Sequence, residues 1–236
     1  MSSIDIEYRF QMEDEQSDGF QVTLDAVSLT TVGAPPDILP PWSDLRFHQC
    51  PNCPLDVSVE PNCPAAVNMV RLVDRFDQLL SYDKTLVCVV TAERKVFSHT
   101  TVQRGICSLM GLLMASSRCP QTDFFKPMAR FHLPFASTQE TIWRATSSYL
   151  LAQYFRFWDG AAPDLSFEGL SVLYGQIQIV NKAFARRLRD ACRHDSMVNA
   201  IILLDMFAKS MPSAIEASLQ EIRHLFVPYL RYVEGS

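Results

Sequence analysis

A chain of 236 residues that is 48% hydrophobic and 20% charged, with only eight glycines, can bury one large core or two smaller ones; it is neither disordered nor low in complexity. The formal net charge is −5, and nine of the 26 acids lie in residues 1–47, leaving the rest near neutral; no basic patch offers a footing for nucleic acid. The first twenty residues carry Asp5, Glu7, Arg9 and Glu13 without an apolar run, unlike a secretory signal, and no uninterrupted apolar stretch of about 18 residues offers a membrane span. Seven cysteines in such a chain point to a reducing, cytoplasmic setting, where thiols ligate metals more often than they pair.

Residues 4–11 alternate apolar and polar, a half-buried strand. Glu13–Gly19 reads as an acidic turn and Phe20–Leu24 resumes the alternation, giving an antiparallel hairpin. Val32–Pro41, with four prolines, is a loop, and Trp42–Gln49 alternates again as a third strand leading into Cys50. Cys63-Pro64 opens a helix with Pro64 at its first position and Cys63 as its N-cap, and an apolar stripe from Val67 to Leu80 carries it to about Ser81. Leu86–Thr91 and Lys95–Thr100 form a second hairpin, followed by a helix over Val102–Ser116. Four helices then follow: Thr138–Trp158, Ser166–Cys192, Asp195–Lys209 and Pro212–Val233, the last with Ser213–Glu216 as a capping box and Pro228 kinking its end. The fold class is therefore α+β. Residues 1–134 form a small antiparallel sheet (two hairpins plus the strand before Cys50) with two helices, and residues 135–236 form a C-terminal four-helix bundle packed with it as one unit. The many aromatics on the bundle helices (Trp143, Tyr149, Tyr154, Phe155, Phe157 and Trp158) leave room for a homodimer or a protein partner.

Four of the seven cysteines are followed by proline: Cys50, Cys53, Cys63 and Cys119. Proline fixes its own φ and biases the residue before it towards extended backbone, so each thiol sits at a stiff corner, which suits a preorganised ligand. Cys50-x2-Cys53 is half of a common zinc motif, and a helix N-terminus at Cys63, with a second expected at Cys119, favours thiolate. Three fillings suit these positions. Structural Zn2+ on Cys50, Cys53, Cys63 and Cys119 is preferred; a [4Fe–4S] cluster uses the same four; His48 is an alternative fourth ligand in place of Cys119. The competing reading is of reduced thiols at buried turns. Cys88, Cys107 and Cys192 read as core or bystander residues.

Phe124–Phe135 carries Arg130 and His132 among aromatics and prolines, either lining a pocket or satisfying buried groups. Asp205, within an apolar run, needs a buried partner such as Asn181 or Arg186, and the run Arg186-Arg187-Leu-Arg189 reads as a solvated helix face. No hydrolase, zincin, P-loop or dinucleotide motif is present. The expected function is a non-enzymatic, cytoplasmic metal-binding protein with a four-thiolate site. The alternatives are a redox- or metal-responsive regulator and an enzyme with a pocket near Arg130 and His132.

His48-Gln-Cys-Pro-Asn-Cys-Pro-Leu55, Asn62-Cys-Pro-Ala-Ala-Val-Asn68, Cys119-Pro120 and Pro127-Met-Ala-Arg-Phe-His-Leu-Pro-Phe-Ala136 together resemble a family of uncharacterised bacterial proteins of about this length. The resemblance implies that the Cys-Pro positions act as one unit in a bacterial cytoplasmic protein. It implies no substrate and no catalytic residue.

Overall fold

Strict alternation in the two hairpins builds one sheet. In the computed structural model, which describes residues 2–12 and 17–234, β1 (Ser3–Met12), β2 (Ser17–Asp25), β3 (Lys84–Val90) and β4 (Lys95–Thr101) are all antiparallel, in the order β2-β1-β3-β4. Of the acidic turn expected over Glu13–Gly19, residues 13–16 lie outside the described residues. Ile6, Tyr8 and Phe10 of β1, Val22 and Leu24 of β2, and Val87 and Val89 of β3 all face one buried layer. The opposite face pairs Glu7 with Gln21 and Arg9 with Cys88, and it leaves Phe97 exposed. The architecture is α+β, with α1 (Pro64–Phe76), α2 (Val102–Ala115), α3 (Lys126–Arg130), α4 (Thr138–Trp158), α5 (Glu168–Ala191), α6 (Ser196–Ile222) and α7 (Val227–Glu234).

The chain forms two compact units. The first joins residues 1–135 to residues 176–206, so the second half of α5 and the start of α6 belong with the sheet. Its core packs Met69, Leu72 and Phe76 of α1 and Ile106, Leu109 and Met110 of α2 with the sheet residues, together with Val180, Phe184 and Leu188 of α5 and Met197 and Ile201 of α6. Gly105 of α2 lies so close to the sheet that a Cβ there would fall on the ring of Phe10 and within 3.0 Å of a Val87 methyl. The second unit, residues 136–175 with 207–236, buries Ile142, Ala145, Leu170, Tyr174, Met211 and Ile215 and exposes Trp143, Tyr154, Phe155, Phe157 and Trp158. Its α4 begins with a capping box between Ser137 and Glu140.

Four local expectations change. Trp42–Gln49 forms no strand. Pro40 and Pro41 remove two ladder donors and fix φ, so Pro41–Ser43 is a 3₁₀ turn, and Asp44 makes only an isolated bridge to Asn62. The turn instead seats Trp42 and Leu45, three residues apart, inwards. Helix α1 stops at Phe76 rather than Ser81, because the following segment is held by tertiary bonds. Asp77 Oδ1 accepts from the amides of Arg193 and His194, and the Ser81 hydroxyl donates to Asp195 at 2.9 Å.

The third and fourth helices expected after α5 are one, with Pro212 inside α6. Ser213 is therefore no cap: its hydroxyl donates back to the Ser210 carbonyl at 3.1 Å. The real break is a 3₁₀ segment at Arg223–Phe226, just before Pro228. Finally, Cys119 caps no helix. Pro120 opens a turn closed by the Thr122 amide on the Cys119 carbonyl at 3.0 Å. The stretch Ser196–Ile215 of α6, of mean hydropathy 1.3, is long and apolar enough to cross a membrane by length and composition, and it supplies Met197, Ala200 and Ile201 to the first unit's core.

Candidate metal centre

Three separate segments of the first unit bring the four Cys-Pro thiols to one place. Cys50 and Cys53 sit on a tight turn closed by the Cys53 amide on the Cys50 carbonyl at 2.9 Å. Cys63 is the N-cap residue of α1, with φ −70° and ψ 116°, and Pro64 follows at the first helical position. Its segment is tied back by the Cys63 amide on Ser43 and by the Leu45 amide on Pro61. Cys119 follows α2 on the turn at Pro120, where the hydroxyl of Thr122 donates to the carbonyl of Met114 at 2.7 Å. All four thiols line a single cavity of about 20 Å³, walled by Leu45, Pro64, Val180, Phe184 and Arg187. A volume of that size holds about one water-sized sphere.

All seven cysteines are free thiols. Among the described residues, no three His, Cys, Asp or Glu side chains already stand in metal-ligating geometry. The four thiols face a common space without closing on it.

Burial sets the protonation of three of them. It pushes Cys50 up to about 12, reinforced by the neighbouring Cys63, Cys119 and Cys53 and opposed by Arg187. Cys119 is pushed up to about 11 by burial, against the Gln121 amide and the Thr122 hydroxyl, which favour its thiolate. Cys63 is also raised by burial; Arg187 and the amides of Ala66 and Ala65 pull it back, although none of these amides makes a full capping hydrogen bond to its sulfur. Without metal, Cys50, Cys63 and Cys119 are therefore held as protonated thiols.

A thiol raised on folding stabilises the folded state fully below its unfolded value of 9.0, and that contribution is lost as pH rises through the folded value. Metal-free, reduced protein is accordingly expected to lose stability steadily from about pH 9 to about pH 12. Urea midpoints measured at increasing pH check this; equal midpoints at about pH 7 and about pH 10.5 would contradict it.

The cation beside the thiols is the residue that sequence reasoning missed. Arg187 belongs to the run expected to be solvated, yet it is 2% exposed and is the largest fully buried side chain. One guanidinium nitrogen donates to the carbonyls of Trp42 and Asp44, the latter at 2.8 Å, and the group lies 5.8 Å from the Phe47 ring centroid. No carboxylate forms a salt bridge with it among the described residues. Burial lowers its pKa, and the groups that hold it up are Cys63, Cys50, Asp44 and Cys53. The signal was present in the spacing: Arg187 lies seven residues after Val180 and three after Phe184, on the apolar face of α5.

An amide network braces the turn from the other side. Asn52 Nδ2 donates to the Gln176 carbonyl and side chain at 3.1 and 2.9 Å, and Gln121 Nε2 donates to the Asn52 carbonyl at 2.7 Å. Asn52 Oδ1 is buried without a hydrogen bond.

The other sequence candidates lie elsewhere. His48 is not among the residues lining the cavity; its Nε2 sits 2.6 Å from Asp190 Oδ2, and its ring packs edge-on to Phe47. Cys88 is on the outer sheet face, Cys107 is buried in α2, and Cys192 is half-buried beyond α5. His132 Nε2 bonds the buried Tyr8 hydroxyl at 2.6 Å, and Ser108 bonds the same hydroxyl at 2.8 Å. Arg130 lies over the Phe131 ring. Asp205 finds neither Asn181 nor Arg186, and its Oδ1 is buried without a hydrogen bond.

Fold and site together define an α+β protein whose four Cys-Pro thiols gather round one cavity beside a buried arginine. The chain belongs to the family described as Domain of unknown function (DUF6901), which it matches over residues 6–227. No curated protein and no solved structure matches it.

Proposed function

We propose that this is a metal-binding protein in which Cys50, Cys53, Cys63 and Cys119 hold one structural zinc ion. The observation that carries the reading is the convergence of four thiols on a cavity of about 20 Å³ next to a buried guanidinium that forms no salt bridge among the described residues. Burying an unpaired cation is costly, and the guanidinium's strongest supporting neighbours are thiols that burial keeps neutral. Four thiolates on Zn2+ carry a net charge of −2, so a filled site supplies the counter-charge that Arg187 lacks.

Zinc would act here as a Lewis acid strong enough to displace four thiol protons. Binding then closes the thiols inwards from the positions they hold without it. The Cys-Pro corners limit the backbone freedom lost in that step, and the Ala65, Ala66 and Gln121 amides near two of the sulfurs steady the charged form. With four protein ligands the centre leaves no open position for substrate, which makes it structural rather than catalytic. It joins the turn at Cys50, the start of α1 and the end of α2. A cavity admitting about one water favours a single ion over an eight-atom [4Fe–4S] cluster.

Elemental analysis and an ultraviolet–visible spectrum of anaerobically purified protein test this. The expected result is a colourless protein with about one zinc per chain. A brown protein with iron and sulfide would replace zinc by the cluster, and less than about a third of an equivalent of any metal would remove the reading altogether.

A further inference from the structure

On the other side of α1's first turn, the first unit contains a groove of about 470 Å³, within the size range of small-molecule sites. One wall is the proline-rich loop, where Val32, Pro35, Pro36 and Leu39 present apolar surface. The loop is held in place by several bonds. The Thr31 amide donates to the Ser116 carbonyl at 3.0 Å, the Val32 amide donates to Thr23 at 2.7 Å, and the Thr31 hydroxyl donates to Asn68 at 2.9 Å. Gly33 makes the bend at φ 127°, a conformation that side-chain-bearing residues rarely adopt.

The rim carries two exposed arginines. Arg71 donates once, to the Ala34 carbonyl at 3.0 Å, which leaves its other N–H groups available. Arg118 has no hydrogen bond or ion pair among the described residues. Asn62 also lines the groove; its Oδ1 accepts from Ser43, and its amide N–H groups have no partner among the described residues. The opposing charge is Glu60.

We propose that this groove binds a small organic oxyanion, a molecule bearing a carboxylate or a phosphate. Arg118 and Arg71 take the charged group, the Asn62 amide adds a neutral donor, and the wall of Val32, Pro35 and Pro36 receives the ligand's body. Two donors with free guanidinium edges suit a planar or tetrahedral oxyanion, since Arg binds such groups through paired N–H contacts. A nucleic acid is disfavoured because the groove brings only two cations together, on a chain with net charge −5. The site stands independently of the thiol centre, although Asn62 and Arg118 immediately precede Cys63 and Cys119 in the chain.

The test is calorimetric titration of the full chain with inorganic phosphate and, separately, with citrate, each against sodium chloride at matched ionic strength. Saturable binding of either anion is expected; phosphate alone assigns a phosphate ligand and citrate alone a carboxylate. Arg118→Gln, at an exposed position with no partner, should weaken binding about tenfold without changing the thermal midpoint. Glu60→Gln should tighten it by about two- to threefold by removing a like charge. The proposal is overturned if chloride reproduces the effect, if neither anion binds more tightly than about 10 mM, or if Arg118→Gln binds as well as the parent. Because calorimetry reads anion binding and not metal content, its outcome is separate from that of the elemental analysis.

Discussion

Replacing Cys119 with serine is expected to weaken zinc binding and to lower the thermal midpoint of the metal-loaded protein by about 6–16 °C. Zinc binding by four-ligand sites contributes about 10–16 kcal/mol, so the loss of one ligand removes about 3–4 kcal/mol, and at this chain length each kcal/mol moves the midpoint by about 2–4 °C. The effect should spread beyond the turn. Cys119 lies after α2, Cys63 immediately precedes α1 and Cys50 follows the buried Trp42, so an ion shared by these thiols would fasten α1 and α2 together. In protein stripped by a chelator the same substitution exchanges one buried, protonated side chain for another and should cost only about 1 kcal/mol. Cys88→Ser, on the outer sheet face, serves as the control and should leave both metal content and midpoint unchanged. Differential scanning calorimetry with metal analysis of each variant checks all three. Retained zinc with an unmoved midpoint in Cys119→Ser would end the proposal that this thiol is a ligand.

Elements whose side-chain period was continuous were legible. The alternation of Ile4–Gln11, of Phe20–Leu24 and of the second hairpin located the four strands, and proline at the first position of α1 marked Cys63 as its cap. The errors share a physical cause: a local pattern was overruled by contacts distant in sequence or by a backbone restriction. Trp42–Gln49 alternates as a strand does, but Pro40 and Pro41 deny it a ladder. Leu79 and Leu80 continue the stripe of α1, yet Asp77 and Ser81 are bonded to residues 193–195. Pro212 reads as a boundary but sits inside a long helix, where proline removes one hydrogen bond and the neighbouring turns persist.

At the cavity, the Cys-Pro dipeptides marked the four thiols that line it, because proline marks the position locally. Their cation left only a faint trace. Arg187 sits between Arg186 and Arg189, and a basic run ordinarily faces solvent; only the registration with Val180 and Phe184 distinguished it. The groove arginines left none, since Arg71 and Arg118 are 47 residues apart and meet only in the fold.

Arg187 offers the sharpest separation of charge from packing. Arg187→Met keeps most of the side chain's length and apolar volume, and exchanges of this kind at buried charges are often neutral or stabilising when the charge serves no purpose. Here the outcome should be the reverse. The carbonyls of Trp42 and Asp44 lose their donor, at about 1–3 kcal/mol each, against which relief of the guanidinium's desolvation offsets a part. A net loss of about 2–4 kcal/mol is expected even without metal. With metal the deficit grows, because a four-thiolate zinc centre of charge −2 is left in an apolar wall of Leu45, Val180 and Phe184 without its counter-charge. Zinc affinity in competition with a chromogenic chelator should fall by about 10- to 100-fold, the usual range for groups that act on a metal through its ligands.

Arg187→Lys separates the two contributions. Its ammonium restores the positive charge but lacks the planar fork, so affinity should return to within about threefold of the parent while part of the stability loss persists. A methionine variant that binds zinc as tightly as the parent would show that Arg187 only links the 42–44 segment to α5. A lysine variant no better than methionine would show that geometry rather than charge sustains the centre. Recovery of affinity by lysine alone is the result that ties the buried cation to ionised thiols, and thereby to a bound metal.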